Sequence, residues 1–160
     1  MDARPLAVID IDGVVADVRH RLHLIEGGSR RWDEFFRRAS DDPPLPAGVD
    51  LVRELAADHD VVWLTGRPER IRDDTVRWLE EHGLPPGRLL MRPERDFRPA
   101  RLTKREELRR LRRGREVAVV VDDDPDVVAT LTEDGFPVRL ADWLPHPSTL
   151  RAAQERDGRT

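Results

Sequence analysis

Short apolar runs alternate with helix-like segments along the whole chain, and this alternation constrains the fold more than any other feature. The runs that predict buried strands are residues 6–9, 61–64, 89–91, 117–121 and 137–140. The clearest segments with apolar side chains at helical spacing are 49–58, 69–82, 103–113 and 125–134. Strands that alternate with helices form βαβ units, in which the strands are parallel and the helices cover both faces of the sheet. The sequence therefore predicts an α/β fold with a doubly wound parallel sheet.

The composition is that of one globular domain with a heavily charged surface. The chain has 160 residues, of which 38% are hydrophobic and 38% charged, and the net charge of −4 provides no overall attraction to nucleic acid, although it allows a local basic patch. The absence of cysteine excludes disulfides and thiolate chemistry. No apolar run is long enough to span a membrane or to form the core of a signal peptide, so we expect a cytoplasmic protein.

Residues 17–46, which we call the flap, form a small insertion between the first strand and the next predicted helix. Trp32, Phe35 and Phe36 have helical spacing, which is more typical of packing than of a base-stacking surface. Three prolines within 43–46 exclude a helix interior there. We expect a single domain over residues 1–150 with the flap as a small helical cap, followed by a polar, frayed tail at 151–160.

Charged residues follow three of the predicted strands. The first strand leads into Asp10 and Asp12, and Gly13 then allows a sharp change of backbone direction. Side chains two apart on a strand share a face, so both carboxylates are expected to face one cavity at the carboxyl end of the strand, where open α/β sheets bind ligands. The pair could also cap a helix, as aspartate often does.

Other strand ends and one helix start supply further polar groups. They are Thr65 and Arg67 after the second strand, Asp122 and Asp123 after the fourth, and Lys104 near the start of a helix. Each has an ordinary structural explanation, as a helix cap, an anion at a helix N-terminus or a solvated surface charge. Because the carboxyl ends of parallel strands meet at one edge of the sheet, we expect the set to converge.

The expected set suits phosphate chemistry. Carboxylates without histidine or cysteine form a hard oxygen site that suits Mg²⁺. Thr65 and Lys104 can hold phosphate oxygens, and Arg67 can bind a phosphate with two hydrogen bonds. One carboxylate is then available as a nucleophile and another as an acid and base.

Four ordered motifs resemble those of the haloacid dehalogenase (HAD) superfamily of phosphohydrolases. They are Asp10-Ile11-Asp12-Gly13-Val14-Val15, Thr65-Gly66-Arg67, Lys104 and Asp122-Asp123, and the resemblance spans about residues 6–145. It implies a HAD-like Rossmannoid fold and an aspartyl-phosphate formed on Asp10. Asp12 would protonate the leaving oxygen and then activate water. The implied Mg²⁺ ligands are Asp10, Asp122, Asp123 and the main-chain carbonyl of Asp12.

Within that superfamily the chain is most similar to the 3′-phosphatase domain of phage-type polynucleotide kinase–phosphatases. The similarity includes Arg21 in the flap, Met91-Arg92-Pro93 and Asp96-Phe97-Arg98-Pro99. It implies removal of a terminal 3′-phosphate from DNA or RNA. The residues implied to bind the substrate phosphate are Arg21, Thr65, Gly66, Arg67 and Lys104. Arg21 and Arg67, with Arg92 and Arg98, could line a small basic entrance, although solvated surface charges are the simpler interpretation for Arg92 and Arg98.

Two positions depart from that family's pattern. Asp124 stands where the family commonly has arginine, and Ala100 stands where it commonly has an acidic residue. The chain also has no Gly-x-x-x-x-Gly-Lys-Ser/Thr loop, so we expect no kinase half within it.

Three other functions compete with a polynucleotide phosphatase. A small-molecule phosphatase such as a 5′- or 3′-nucleotidase can share the sequence of the first motif. The flap, however, is too short to form a large cap domain, and this favours a substrate that presents a terminal phosphate. A non-catalytic phosphate-binding module would not need Asp10 and Asp12. A dehalogenase would not need Asp12, because halide leaves unprotonated.

Overall fold

Five parallel strands form one sheet in the computed structural model, which describes residues 3–160. Their bounds are β1 Leu6–Ile9, β2 Asp60–Pro68, β3 Arg88–Arg92, β4 Val117–Asp122 and β5 Val138–Leu140, and their order is β3-β2-β1-β4-β5. The chain builds outward from β1 to β3 and then crosses to the other side of β1 to form β4. The prediction of a doubly wound α/β sheet is confirmed. Because the winding direction changes between β1 and β4, the crevice at their carboxyl ends is where such sheets bind ligands.

The helices follow the predicted pattern, with shifts at their ends. The α-helices of the described residues are α1 Trp32–Arg37, α2 Pro46–Leu55, α3 Arg72–Glu81, α4 Ala100–Gly114, α5 Pro125–Glu133 and α6 Ser148–Glu155. Helix α2 begins at Pro46, three residues before the predicted start. Proline is tolerated in the first turn of a helix because the backbone N–H groups of that turn have no partner within the helix. Within residues 3–160 no helix combines the length and the apolarity needed to cross a membrane.

Apolar side chains cover both faces of the sheet, which explains why each strand is a continuous apolar run in the sequence. On one face, Ile9 and Trp63 pack with buried residues of α1, α2 and α3. On the other face, Val8 and Leu64 pack with buried residues of α4 and α5. Helices on both faces leave the carboxyl edge of the sheet as the place where polar groups can collect.

The expectation of a frayed tail from Arg151 is wrong. Residues Ser148–Glu155 form α6, whose Leu150 and Ala153 are 1% exposed and whose Gln154 is 4% exposed. Thr160 is also buried and packs on Gly66. The segment is rich in polar residues, but its few apolar side chains fall at helical spacing, so a helix can bury them together.

Candidate active site

Asp10 lies at the first position after β1 and is almost completely buried. Its Oδ1 accepts a hydrogen bond from the Ile11 backbone N–H at 2.8 Å, and its Oδ2 lies 3.2 Å from Lys104 Nζ. Lys104 also donates to Asp122 Oδ2 at 2.6 Å, from the second turn of α4. The lysine therefore joins the ends of β1 and β4, the two strands at which the winding direction changes.

Three carboxylates surround this lysine. One oxygen each of Asp10, Asp122 and Asp123 lies within 4.8 Å of the others, and all three residues are buried. Burial raises the pKa of Asp10 well above its usual value, although Lys104 opposes the shift and the other carboxylates add to it. Burial alone would lower the pKa of Lys104, but the charges of Asp10 and Asp122 outweigh it and raise that pKa.

The charge of this cluster fits a divalent cation. Three carboxylates and one ammonium carry a net charge of −2 in a buried space, which is unfavourable unless a cation is added. Asp123 Oδ1 is buried and has no hydrogen-bond partner among the described residues. An all-oxygen donor set of this size is what Mg²⁺ prefers. The residues present therefore fit the metal that the sequence predicts.

Asp123 is positioned by residues that the sequence interpretation did not single out. Gly13 has a φ of +77°, and a Cβ at this position would lie 1.9 Å from Asp123 Oδ2, so only glycine allows the carboxylate to approach. His146 Nδ1 lies 3.1 Å from the same oxygen, and its Nε2 lies 2.9 Å from Gln154 Oε1 on α6. Burial lowers the pKa of His146, but Asp123 more than compensates and the pKa is raised.

The Asp12 carboxylate faces a different set of cations from Asp10. Its Oδ1 accepts from Arg67 Nε at 2.9 Å and from Arg21 Nη2 at 3.3 Å. Burial would raise the pKa of Asp12, but the two guanidinium groups prevail and lower it. Asp12 Oδ2 is buried without a partner among the described residues, so one oxygen is free to meet a substrate.

Both arginines are held by Asp42, a fully buried flap residue that the sequence interpretation overlooked. Asp42 accepts two hydrogen bonds from Arg21, at 2.8 Å each, and one from Arg67 Nη2 at 3.0 Å. His20 Nε2 lies 2.7 Å from Asp42 Oδ1, and Trp78 Nε1 donates to the Asp42 backbone carbonyl at 2.9 Å. No local motif marks Asp42, because its partners lie 21 and 25 residues away.

The arginines therefore do not form an open basic entrance. Arg21 and Arg67 are 0% and 1% exposed, and two carboxylates already balance their charges. The surface interpretation of Arg92 is wrong: it is 3% exposed, and its guanidinium donates to backbone carbonyls of Gly66, Asp96, Arg98 and Thr160. Arg98 is half exposed and pairs with Asp96 and Glu106, as a surface charge does.

Thr65 and Gly66 lie inside β2, where the register with β3 becomes irregular. Thr65 Oγ1 accepts from the Arg67 backbone N–H at 3.1 Å, so the hydroxyl keeps its own proton for a ligand. A Cβ on Gly66 would lie 2.1 Å from the Thr160 carbonyl carbon, so the glycine provides room for that backbone. Beside Thr65 and Lys104 there is a small hollow of about 110 Å³.

The two departures from the family pattern have simple structural roles. Asp124 is fully buried and caps α5, because its Oδ1 accepts from the Asp126 backbone N–H at 2.8 Å. Burial and the nearby Asp122 charge raise the pKa of Asp124 to about 6. Ala100 is 1% exposed and packs in the core at the start of α4.

The fold and the four motifs at the carboxyl edge of the sheet define a HAD-type phosphatase. The sequence matches the family described as "Polynucleotide kinase PNKP phosphatase domain" over residues 5–139. The chain therefore belongs to that family. No curated protein matches the chain.

Solved structures share the fold at low sequence identity. A chain of the Pnkp1/Rnl/Hen1 RNA repair complex superposes with a TM-score of 0.70 at 21% identity, covering 88% of this chain and 44% of that one. The HAD-hydrolase YfnB from Bacillus subtilis, bound to magnesium, gives a TM-score of 0.60 at 11% identity, covering 92% and 93% of the two chains. A haloacid dehalogenase-like hydrolase from Streptococcus pneumoniae gives 0.58 at 13% identity, covering 86% and 84%. The chain spans less than half of the repair-complex chain.

Proposed function

We propose that the protein removes terminal 3′-phosphates from DNA or RNA, using Mg²⁺ and a covalent intermediate on Asp10. The observation that carries the proposal is the buried cluster of three carboxylates around Lys104, in a chain that belongs to a family of polynucleotide phosphatase domains. One structural neighbour is part of an RNA repair complex, which supports a nucleic-acid end as the substrate.

Asp10 is the proposed nucleophile. Its Oδ1 is fixed by a backbone N–H, so the carboxylate has one orientation at the head of the crevice. Lys104 helps to keep this buried group ionised, because its ammonium opposes the effect of burial on the Asp10 pKa. In the proposed reaction Asp10 forms a bond to phosphorus while the bond from phosphorus to the leaving 3′-oxygen breaks.

Asp12 is the proposed acid and base. Its low pKa in the free protein means that it is ionised until substrate arrives. A dianionic phosphate would compete with Asp12 for the Arg21 and Arg67 guanidinium groups, and weaker pairing raises the pKa of a carboxyl group. Asp12 could then hold the proton that the leaving oxygen needs, and afterwards take one from the attacking water.

The remaining groups bind the phosphate and the metal. Thr65 can donate its hydroxyl proton, and Lys104 can neutralise a phosphoryl oxygen. Asp10, Asp122, Asp123 and the Asp12 carbonyl are the proposed Mg²⁺ ligands. Bound Mg²⁺ would offset the repulsion between the carboxylates and the phosphate and stabilise charge that develops in the transition state.

The test is phosphate release from a 3′-phosphorylated oligonucleotide, with Mg²⁺ and with EDTA, compared with 3′- and 5′-mononucleotides at equal concentration. We expect metal-dependent release with a kcat/KM on the oligonucleotide at least tenfold above that on either mononucleotide. Brisk turnover of mononucleotides with little release from the oligonucleotide would instead establish a nucleotidase. No turnover of any of these substrates would contradict a nucleotide-directed phosphatase.

A further inference from the structure

A basic cavity on the outer side of the flap contains aromatic surface next to arginines. We call it the rim cavity; it has a volume of about 500 Å³. Its lining contributes five arginines against two carboxylates, together with the half-buried ring of Trp32. A hollow beside α4 is also rich in arginine, but its lining contains no aromatic side chain.

Three of these arginines have no carboxylate partner. Arg30, Arg37 and Arg159 form no salt bridge within the described residues. Arg31 pairs with Glu34, and Arg70 pairs with Asp33 and Glu94. Arg30 has a φ of +49°, a left-handed conformation that is rare for residues other than glycine. Unpaired arginines at a concave surface are available to an anionic ligand.

Aromatic rings and a guanidinium group extend the rim cavity towards the Phe97 loop. The Arg159 guanidinium lies 5.7 Å from the centre of the Trp32 ring and 4.5 Å from that of Phe97. Phe97 is 50% exposed, the most exposed of the large apolar side chains described. Single strands bind to surfaces of this kind, where cations follow the backbone and bases stack on aromatic and guanidinium planes.

The rim cavity lies beside the candidate active site. Arg70 follows the carboxyl end of β2, and Phe97 follows that of β3, so both belong to the edge of the sheet that carries the motifs. Helix α1 connects the two regions: the ring of Phe35 lies 4.3 Å below the buried Arg21 guanidinium, while Trp32 on the same helix lines the rim cavity. A strand held along the rim cavity would have its end near the site.

We propose that the rim cavity and the exposed Phe97 ring bind the single-stranded nucleic acid whose terminal phosphate the site hydrolyses. This inference rests on the proposed function. Arg30 and Arg37 bind backbone phosphates, and Phe97 stacks a base close to the end. The substrate class is therefore an unpaired 3′ end of several nucleotides rather than a mononucleotide.

The test compares Phe97→Ala and the double variant Arg30→Ala/Arg37→Ala with a matched double variant on α4, Arg105→Ala/Arg113→Ala, in the arginine-rich hollow that lacks aromatic side chains. Arg105 and Arg113 lie on α4 and form no salt bridge among the described residues, so this control removes the same charge elsewhere. For each protein, kcat/KM is measured on a 3′-phosphorylated oligonucleotide and on the corresponding 3′-mononucleotide. Binding of a 3′-hydroxyl oligonucleotide is measured by fluorescence anisotropy at several salt concentrations.

We expect Phe97→Ala to lower the ratio of the two kcat/KM values about fivefold or more, the effect of losing one stacked base. Loss of Arg30 and Arg37 should reduce the slope of log affinity against log salt by about 1.4, since each phosphate contact on a single strand contributes about 0.7. The Arg105/Arg113 control should change neither quantity.

Equal effects from the control, or unchanged binding and unchanged ratios in the rim variants of an active enzyme, would overturn the inference while leaving the proposed function intact. A wild-type enzyme that hydrolyses mononucleotides as well as oligonucleotides, and that does not bind the oligonucleotide, would contradict both.

Discussion

At the scale of single residues, Asp10 and Asp12 have different surroundings although only one residue separates them in the sequence. Asp10 lies among carboxylates and one lysine, whereas Asp12 lies between two arginines. The same side chain therefore has a raised pKa at the first position and a lowered pKa at the second. These directions belong to the free protein and are the reverse of what the proposed roles need, so ligands must change them: bound Mg²⁺ would favour the ionised form of Asp10, and a phosphate that competes for the two arginines would raise the pKa of Asp12.

Replacement of Asp10 by asparagine should abolish turnover without loss of the fold. We expect kcat to fall about 10³-fold or more, because no other group lies in the nucleophile's place. Thermal stability should be equal or higher, since the change removes one of three buried negative charges around Lys104. The measurements are steady-state kinetics and thermal unfolding; substantial activity in a contaminant-free preparation would refute the assignment.

Asp124 gives a prediction about pH and stability. Its pKa is about 6 in the folded protein, against about 3.9 when unfolded. Between these values the folded state binds more protons than the unfolded state. The contribution of Asp124 to the free energy of unfolding therefore decreases as pH rises from about 4 to 6 and then stays level. Asp124→Asn keeps a capping oxygen for α5 but lacks this titration.

We therefore expect Asp124→Asn to gain about 2 kcal/mol relative to the wild type between pH 4 and pH 7. The measurement is urea unfolding in EDTA at both pH values, with Asp50→Asn, a change at an exposed aspartate, as the control. A difference between variant and wild type that is the same at both pH values would contradict the raised pKa of Asp124.

At the scale of elements, a salt-bridge network joins the flap to the sheet. Asp42 and Arg21 belong to the flap, while Arg67 belongs to β2 and also bonds Thr75 of α3 at 3.4 Å. Because all of these charges are buried, removal of one leaves the others uncompensated. The flap is thus fixed to the site by the same groups that face Asp12.

Asp42→Asn should therefore impair both stability and activity. We expect a loss of about 3–5 kcal/mol in the free energy of unfolding. The kcat/KM should also fall, because Arg21 and Arg67 lose the group that orients them. Urea unfolding and steady-state kinetics measure the two effects, and Asp41→Asn, at the exposed neighbouring aspartate, is the control. Similar results for the two variants would show that the network does not hold the flap.

The helices and strands explain why parts of the fold and of the candidate site could be predicted from the sequence and other parts could not. The strands were predictable because both faces of the sheet are buried, so each strand is a continuous apolar run. The motif residues were predictable because they follow directly after strands. Asp42, Thr75 and His146 were not, since their roles depend on contacts between distant segments, and charge alone does not distinguish a buried Arg92 from an exposed Arg98.

At the scale of the whole molecule, metal binding should contribute to folding stability. The cluster of Asp10, Asp122 and Asp123 has an uncompensated negative charge in the free protein, so a cation that binds the folded state stabilises it. At 100 times its dissociation constant, Mg²⁺ should add about 2.7 kcal/mol. Thermal unfolding during a MgCl₂ titration measures the effect, and Asp123→Asn should abolish most of it. An unchanged melting temperature in the wild type would contradict a magnesium site.

The most direct test of the account is to trap the covalent intermediate. Asp12→Asn lacks the base for hydrolysis but can still react with an aryl phosphate, whose leaving group needs no proton. We predict a rapid release of about one aryl alcohol per enzyme, then slow turnover, with the phosphoryl group found by mass spectrometry on the peptide that contains Asp10. The double variant Asp10→Asn/Asp12→Asn should show neither. Steady release without a burst, or a phosphoryl group on another residue, would contradict the central claim.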